Sequence, residues 1–177
     1  MIIPAYRTWV AGEVVTASYL NTNIRNAGNF WLSVPVFEGV QTVAQSIPTG
    51  VVTAVLLDTE EVDNDNGHST TVNTSRYASQ TPGRFQISGG ASYAANATGR
   101  RGVLILVNGT QLAGSSTALP TTGALDTGVP LRTRSIYMNG ATDYIELGTF
   151  QDSGAPLNTF VTGSAFSTLS VRWVGTT

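Results

Sequence analysis

The chain contains no cysteine and no lysine, and a single histidine, His68. Without cysteine there is no disulfide framework and no thiolate-ligated metal, and one imidazole cannot build a histidine-rich metal centre. Charge is scarce too. Charged residues make up 11% of the 177, nine basic and eleven acidic, for a net charge of −2, where average domains carry about a quarter. So small a net charge leaves no electrostatic footprint for nucleic acid or an anionic membrane, and neither is expected as a partner. No apolar run approaches the roughly 18 residues a membrane span needs. The opening MIIPAYRTWVAGE lacks the basic-then-apolar pattern of a secretory signal, so synthesis in a cytoplasm is expected. All nine basic residues are arginine, which has no structural cause and points to GC-rich coding.

What the chain has in abundance is turn and strand. Glycine is high, at 19 residues. From Pro35 onward, short strand-like segments follow one another: 36–47, 51–58, 73–80, 84–96, 100–114, 129–140, 143–152, 157–162 and 166–175. In 84–96, Phe85, Ile87, Gly89, Ala91, Tyr93 and Ala95 share one face, the period-two alternation of a half-buried strand. Asn108-Gly109 is the strongest short hairpin signal, and Asn139-Gly140 repeats it. Eight to ten such strands, with turn signals at intervals of about 8–15 residues, predict an all-β sandwich or barrel. No helical pattern separates them, which excludes parallel βαβ units. The antiparallel two-sheet jelly roll suits this number and length of strands best.

One helix precedes the strands. Thr16 is placed to cap it, and Ala17, Leu20, Ile24, Ala27 and Trp31 follow at spacings of 3, 4, 3 and 4. That is a narrow seam of the coiled-coil kind. It is too short to be stable alone in water, and Gly28 with Asn21, Asn23, Asn26 and Asn29 weakens it further. Two readings stay open: packing on the chain's own domain, or bundling with copies or a partner. The expected organisation is a 1–35 segment carrying the helix and a 36–177 jelly-roll domain.

Two resemblances bear on that organisation. PGRFQISGGASYAA, VLILVNGTQLAGSS, GATDYIELGTFQDSG and FSTLSVRWVG together resemble the C1q/TNF-like jelly-roll family, although Gly140-Ala141-Thr142-Asp143 is two residues longer than that family's usual Gly-Asp. This resemblance implies a homotrimer packed about a three-fold axis. YRTWVAGEVVTASYLNTNIRNAGNFW is similar to the amino-terminal motif of many tail-associated structural proteins of bacteriophages, in which Trp, Gly-Glu-x-x-Thr and Leu-Asn recur; here these are Trp9, Gly12-Glu13, Thr16 and Leu20-Asn21. The attachment candidates are therefore Arg7, Trp9, Glu13, Leu20, Asn21 and Ile24. Candidates for core or subunit interface are the strand aromatics Phe85, Tyr93, Tyr144, Phe166 and Trp173.

The remaining clusters are weaker. Asp58, Glu60, Glu61, Asp63 and Asp65 invite a calcium reading. Counted from Glu61 or from Asp63, the EF-hand glycine and glutamate positions hold Asn66 and Val72, or His68 and Thr74, and neither frame fits. A solvated turn is the expectation, with Asp63 and Asp65 the residues a cation would use. His68, in NDNGHST, reads as a polar turn residue, and no Gly-x-Ser-x-Gly elbow accompanies it. The GRRG of 99–102 reads as a solvated strand start. Glycoside hydrolysis needs two carboxylates across a substrate groove, which so compact a domain rarely builds, and no enzyme activity or cofactor is expected. The expected role is a trimeric bacteriophage virion protein. It would join other virion proteins through its front segment, be tail-associated, and bind a host glycan or protein. Capsid decoration is the alternative, and a secreted C1q/TNF-like binding module the second alternative.

Overall fold

The computed structural model describes residues 3–5, 7–121, 123 and 125–176. Fourteen strands follow the front segment: β1 (Val36–Gln41), β2 (Ser46–Ile47), β3 (Thr53–Ala54), β4 (Thr59–Asp63), β5 (Arg76–Tyr77), β6 (Gly83–Tyr93), β7 (Arg100–Val107), β8 (Thr110–Gln111), β9 (Thr117–Pro120), β10 (Thr127–Pro130), β11 (Arg134–Met138), β12 (Ile145–Gln151), β13 (Leu157–Asn158) and β14 (Ser167–Gly175). One sheet runs β10-β6-β14-β1-β4, with β11 pairing a second stretch of β6. The other runs β3-β12-β7-β8, with β5 on β12 and β9 on β7. β2 and β13 form a short separate ribbon. All these pairings are antiparallel. The fold is the all-β jelly-roll sandwich with a short leading helix that the strand pattern predicts.

The alternation in β6 sends Phe85, Ile87, Ala91 and Tyr93 inward, where they meet Leu169, Val171 and Trp173 of β14 and Phe37 of β1. The second sheet contributes Val103, Ile105, Ile145 and Leu147 to the same core. β7 does not alternate because both of its faces are covered: Leu104 and Leu106 point away from the core and are nonetheless buried. A methyl group on Gly148 would lie 3.1 Å and 3.2 Å from their Cγ atoms and 3.4 Å from Val52, so Val52 packs over this outer surface. A continuous apolar run is the sequence trace of a strand buried on both sides.

Tyr93 ties the two sheets together. Its hydroxyl lies 2.5 Å from the Gly102 carbonyl of β7 and accepts from the Phe150 N–H of β12 at 3.2 Å. Burial pushes that hydroxyl up to about 12. The Asn108-Gly109 hairpin forms as predicted: Val107 pairs with Thr110 across it, and both turn residues take positive φ, 51° and 76°, the geometry a two-residue hairpin turn requires. Asn139-Gly140 does not make a hairpin. The Asn139 side chain instead accepts from the N–H groups of Ala141, Thr142 and Asp143.

Two local expectations are corrected. The stretch from Asp58 to Asp65 is not a solvated turn: most of it is β4, an edge strand whose exposed acids suit an edge that must not pair with other chains. GRRG is not uniformly solvated either. Arg100 is exposed, but Arg101 shares the inward parity of Val103 and is buried. Arg101 Nη1 donates to the Thr98 and Arg100 carbonyls and Nη2 to that of Asn96, at 3.0–3.1 Å.

Candidate attachment site

The front of the chain is folded. Val10 to Glu13 form a tight turn, with the Glu13 N–H donating to the Val10 carbonyl at 3.1 Å and Gly12 at φ 83°. That conformation is nearly free for glycine alone, which accounts for the Gly-Glu pair. The turn brings Glu13 back onto Arg7, and the two form an ion pair. Glu13 also accepts from the Val10 N–H at 3.3 Å. The Arg7 guanidinium lies 4.0 Å from the Tyr19 ring centre and 5.1 Å from that of Trp9, within reach of cation–π attraction. Three attachment candidates, Arg7, Trp9 and Glu13, thus meet in one cluster, joined by Tyr19 from outside the predicted seam.

The helix begins at Thr16, whose hydroxyl accepts from the Tyr19 N–H at 3.3 Å. It then departs from the regular pattern. Between α1 (Ala17–Leu20) and α2 (Asn26–Leu32) lies a π-helical turn, Asn21–Arg25, closed by the Asn26 N–H donating to the Asn21 carbonyl. The cause is local. The Asn23 side chain donates to the Tyr19 carbonyl at 2.9 Å, and that carbonyl is the one an α-helix assigns to Asn23's own N–H. A side chain inserted into the ladder in this way loosens the turn.

The π turn changes which side chains face the domain. Phe30, which the predicted seam omits, is the buried residue of α2. It meets Trp173 of β14 edge-on, with ring centres 5.0 Å apart at 89°, and Trp31 packs on Trp173 at 5.6 Å. The Trp173 indole N–H donates to the Pro82 carbonyl at 3.1 Å. Gly83 is obligatory beside it: a methyl group there would sit 2.2 Å from Nε1, at φ 142°. The seam residues Leu20, Ile24 and Trp31 stay 44%, 57% and 55% exposed, and Asn21 is exposed as well. A cleft of about 250 Å³ remains between Ile3, Pro4, Ala27, Phe30, Trp31 and Trp173.

Asn64 holds the connection between helix and sandwich. Its side chain donates to the Val34 carbonyl at 2.8 Å and to Ser33 Oγ at 3.2 Å, and accepts from the Val36 N–H at 2.7 Å. Sequence reasoning missed both Asn64 and Phe30. Phe30 left one trace, an aromatic pair just before Pro35; Asn64 left none, because its partners lie about thirty residues away.

The other singled-out residues lie elsewhere. Phe85, Tyr93 and Trp173 are buried in the core, while Tyr144 and Phe166 are half-buried. Asp63 accepts from the N–H groups of Asp65 and His68. Asp65 is 4% exposed and accepts from Ser79 Oγ, Thr81 Oγ1 and the Gln80 N–H. These carboxylates brace the loop that follows β4, and no cluster able to hold a metal occurs among the described residues. His68, read as a polar turn residue, lies in the loop after β4 with its side chain fully buried.

Two comparisons find nothing: no family model and no curated protein matches this chain. Solved structures do match. Murine APRIL, in a crystal structure at pH 5.0, superimposes with a TM-score of 0.59 at 11% identity over 79% of this chain and 98% of its own. Eiger TNF from S. frugiperda superimposes with a TM-score of 0.54 at 9% identity over 81% and 92%. Identities this low establish the fold, a TNF-like jelly roll.

Proposed function

We propose that this chain is a structural protein of a bacteriophage virion. In this reading it is a homotrimeric TNF-like jelly roll, tail-associated, fixed to neighbouring virion proteins through its front segment, and engaged in binding a host-surface glycan or protein rather than in catalysis. The observation that carries the reading is the combination of parts. A sandwich that closes its own core is preceded by an ordered segment whose aromatic cluster and exposed Leu20 and Ile24 contribute little to that core. Exposed large apolar groups at one end of a domain mark an interaction surface, and a sheet sandwich with open edges gains from closed symmetric assembly. The test has two parts. Light scattering on the purified protein should give three times the 18.6 kDa chain mass, and an antibody against the chain should label the particle tail. Head labelling favours capsid decoration, and absence from the particle removes the virion reading altogether.

The TNF-like structural neighbours favour a second reading, a TNF-type binding module that acts off any particle. It makes the same mass prediction but expects the antibody to find the chain free of particles.

A further inference from the structure

The loop between β4 and β5, residues 64–75, is closed by a pair of contacts at His68 that have an uncommon property. Nε2 lies 2.9 Å from the Thr74 carbonyl oxygen and Nδ1 lies 2.7 Å from Glu60 Oε1. A carbonyl oxygen and a carboxylate oxygen both only accept, so the two contacts are hydrogen bonds together only when two protons are present, both on the ring or one on the ring and one on the carboxyl. With a single proton, one ring nitrogen presents a lone pair to an acceptor oxygen at hydrogen-bond distance.

The ring has no other outlet. Its side chain is fully buried and lies against Phe37 of β1, ring centres 4.9 Å apart. The charged and titratable groups of the neighbouring elements are otherwise engaged. Asp63 accepts the His68 backbone N–H. Asp65 is bound to Ser79, Gln80 and Thr81. Arg76 of β5 stacks on Tyr144 and pairs with Glu146 of β12, and Tyr77 stacks on Phe37. The two ring nitrogens are engaged by Glu60 and Thr74, which leaves them no site for Glu38 of β1 or Glu61 of β4. The contacts join three separate places: the edge strand, the middle of the loop and its far end. The outer residues 69–72 bond chiefly among themselves, through Ser69 Oγ. The same loop walls a cleft of about 250 Å³ lined by Asn66, His68, Asn73, Arg76 and Tyr144.

We propose that His68 and Glu60 form a proton-operated clasp. With the extra proton in place, the loop is pinned to β4 and the cleft beside Tyr144 is held in shape. As pH rises and that proton leaves, one of the two contacts turns repulsive, and the loop loosens at the clasp while the sandwich stays folded.

The test is amide hydrogen exchange on the full chain from about pH 5 to about pH 9, a span that brackets the range in which imidazoles change charge. Two-bond proton–nitrogen spectra of the ring accompany it. Once corrected for intrinsic base catalysis, exchange in residues 64–75 should quicken at least tenfold as the ring loses its second proton, about the worth of one hydrogen bond to a charged group. Amides of β6 and β14 should not change. In Glu60→Gln the side-chain amide can present its oxygen to an N–H or its NH₂ to a bare nitrogen, so the contact survives in both forms. That variant should keep the loop protected across the whole range. Flat loop protection in the parent overturns the clasp. So does an unchanged pH response in Glu60→Gln, or a ring that stays singly protonated while the loop is closed and Glu60 is ionised.

Discussion

Replacing Phe30 with alanine tests how the front segment is held. Phe30 is 3% exposed and faces Trp173 edge-on at 5.0 Å. Removing a buried phenylalanine costs about 3–5 kcal/mol. Within that, an aromatic pair of this geometry contributes about 0.5–1.5 kcal/mol beyond the area it buries. For a chain of this size each kcal/mol shifts Tm by about 2–4 °C, so Phe30→Ala should melt about 6–20 °C lower in calorimetry. A cycle with Trp173→Leu should return about 0.5–1.5 kcal/mol of coupling, because the single changes break the same pair. Leu20→Ala and Ile24→Ala provide the contrast. Both side chains are half-exposed in the single chain, and changes of that kind usually stay within about 0.5 kcal/mol. A Phe30→Ala shift below about 2 °C, or no coupling to Trp173, would refute the account of a helix anchored through its second half.

Three further outcomes are expected. Gly83→Ala should prevent folding, judged by circular dichroism, because its methyl would overlap the Trp173 indole, whereas Gly163→Ala, with φ 67° and nothing within 4 Å, should cost only about 1–2 kcal/mol. Asp58 should contribute to acid sensitivity. Burial pushes its carboxyl up, but bonds from the Thr42 side chain and N–H, the Val43 N–H and Thr59 outweigh that and hold it below its ordinary value. A carboxyl depressed on folding adds stability that is present above its unfolded value, about 3.9, and is lost as pH falls through the folded value. Denaturant titration of Asp58→Asn should therefore show a shallower loss below about pH 4 than the parent. Finally, Asp65→Ala should destabilise by about 1.5–3 kcal/mol through loss of hydrogen bonds to a charged acceptor, while a calcium chelator leaves the parent's Tm unchanged; a chelator-dependent shift would reopen a cation role for Asp63 and Asp65.

The sandwich was legible because its signals are short-range. The alternation of Phe85, Ile87, Ala91 and Tyr93 fixes a face by itself, and Asn108-Gly109 fixes its own turn. Arg101 was legible in principle as well, since two-residue parity from Val103 places it inward. Its charge argues for solvent where parity argues for the core, and the carbonyls of Asn96 and Thr98 that make burial tolerable belong to a loop that parity does not describe. The acidic stretch misled for a similar reason. Edge strands carry charge on both faces, so β4 shows no alternation and resembles a turn. The front segment was legible as a turn and a capped helix but not in its phase. A seam read at alternating spacings of three and four assumes an unbroken α-helical ladder, and the bond from Asn23 to the Tyr19 carbonyl breaks it. Asn64 and the partners of His68 depend on chain segments meeting in space, and no local pattern encodes that.

The placement of Trp173 has a practical consequence. Ile3, Pro4 and Ala5 line the same cleft as Trp173, Gly175 and Thr176, so anything joined to the chain after the last strand emerges beside the front segment. A reporter or purification handle appended there would compete for the cleft between Pro4, Ala27 and Trp31, and would mimic a loss of attachment that no mutation caused. Ser153 to Ala155, a surface bend containing Gly154 at φ 91° with open space around it, is a better insertion point, and comparing the assembly of the two fusions would itself report on which end of the molecule is occupied.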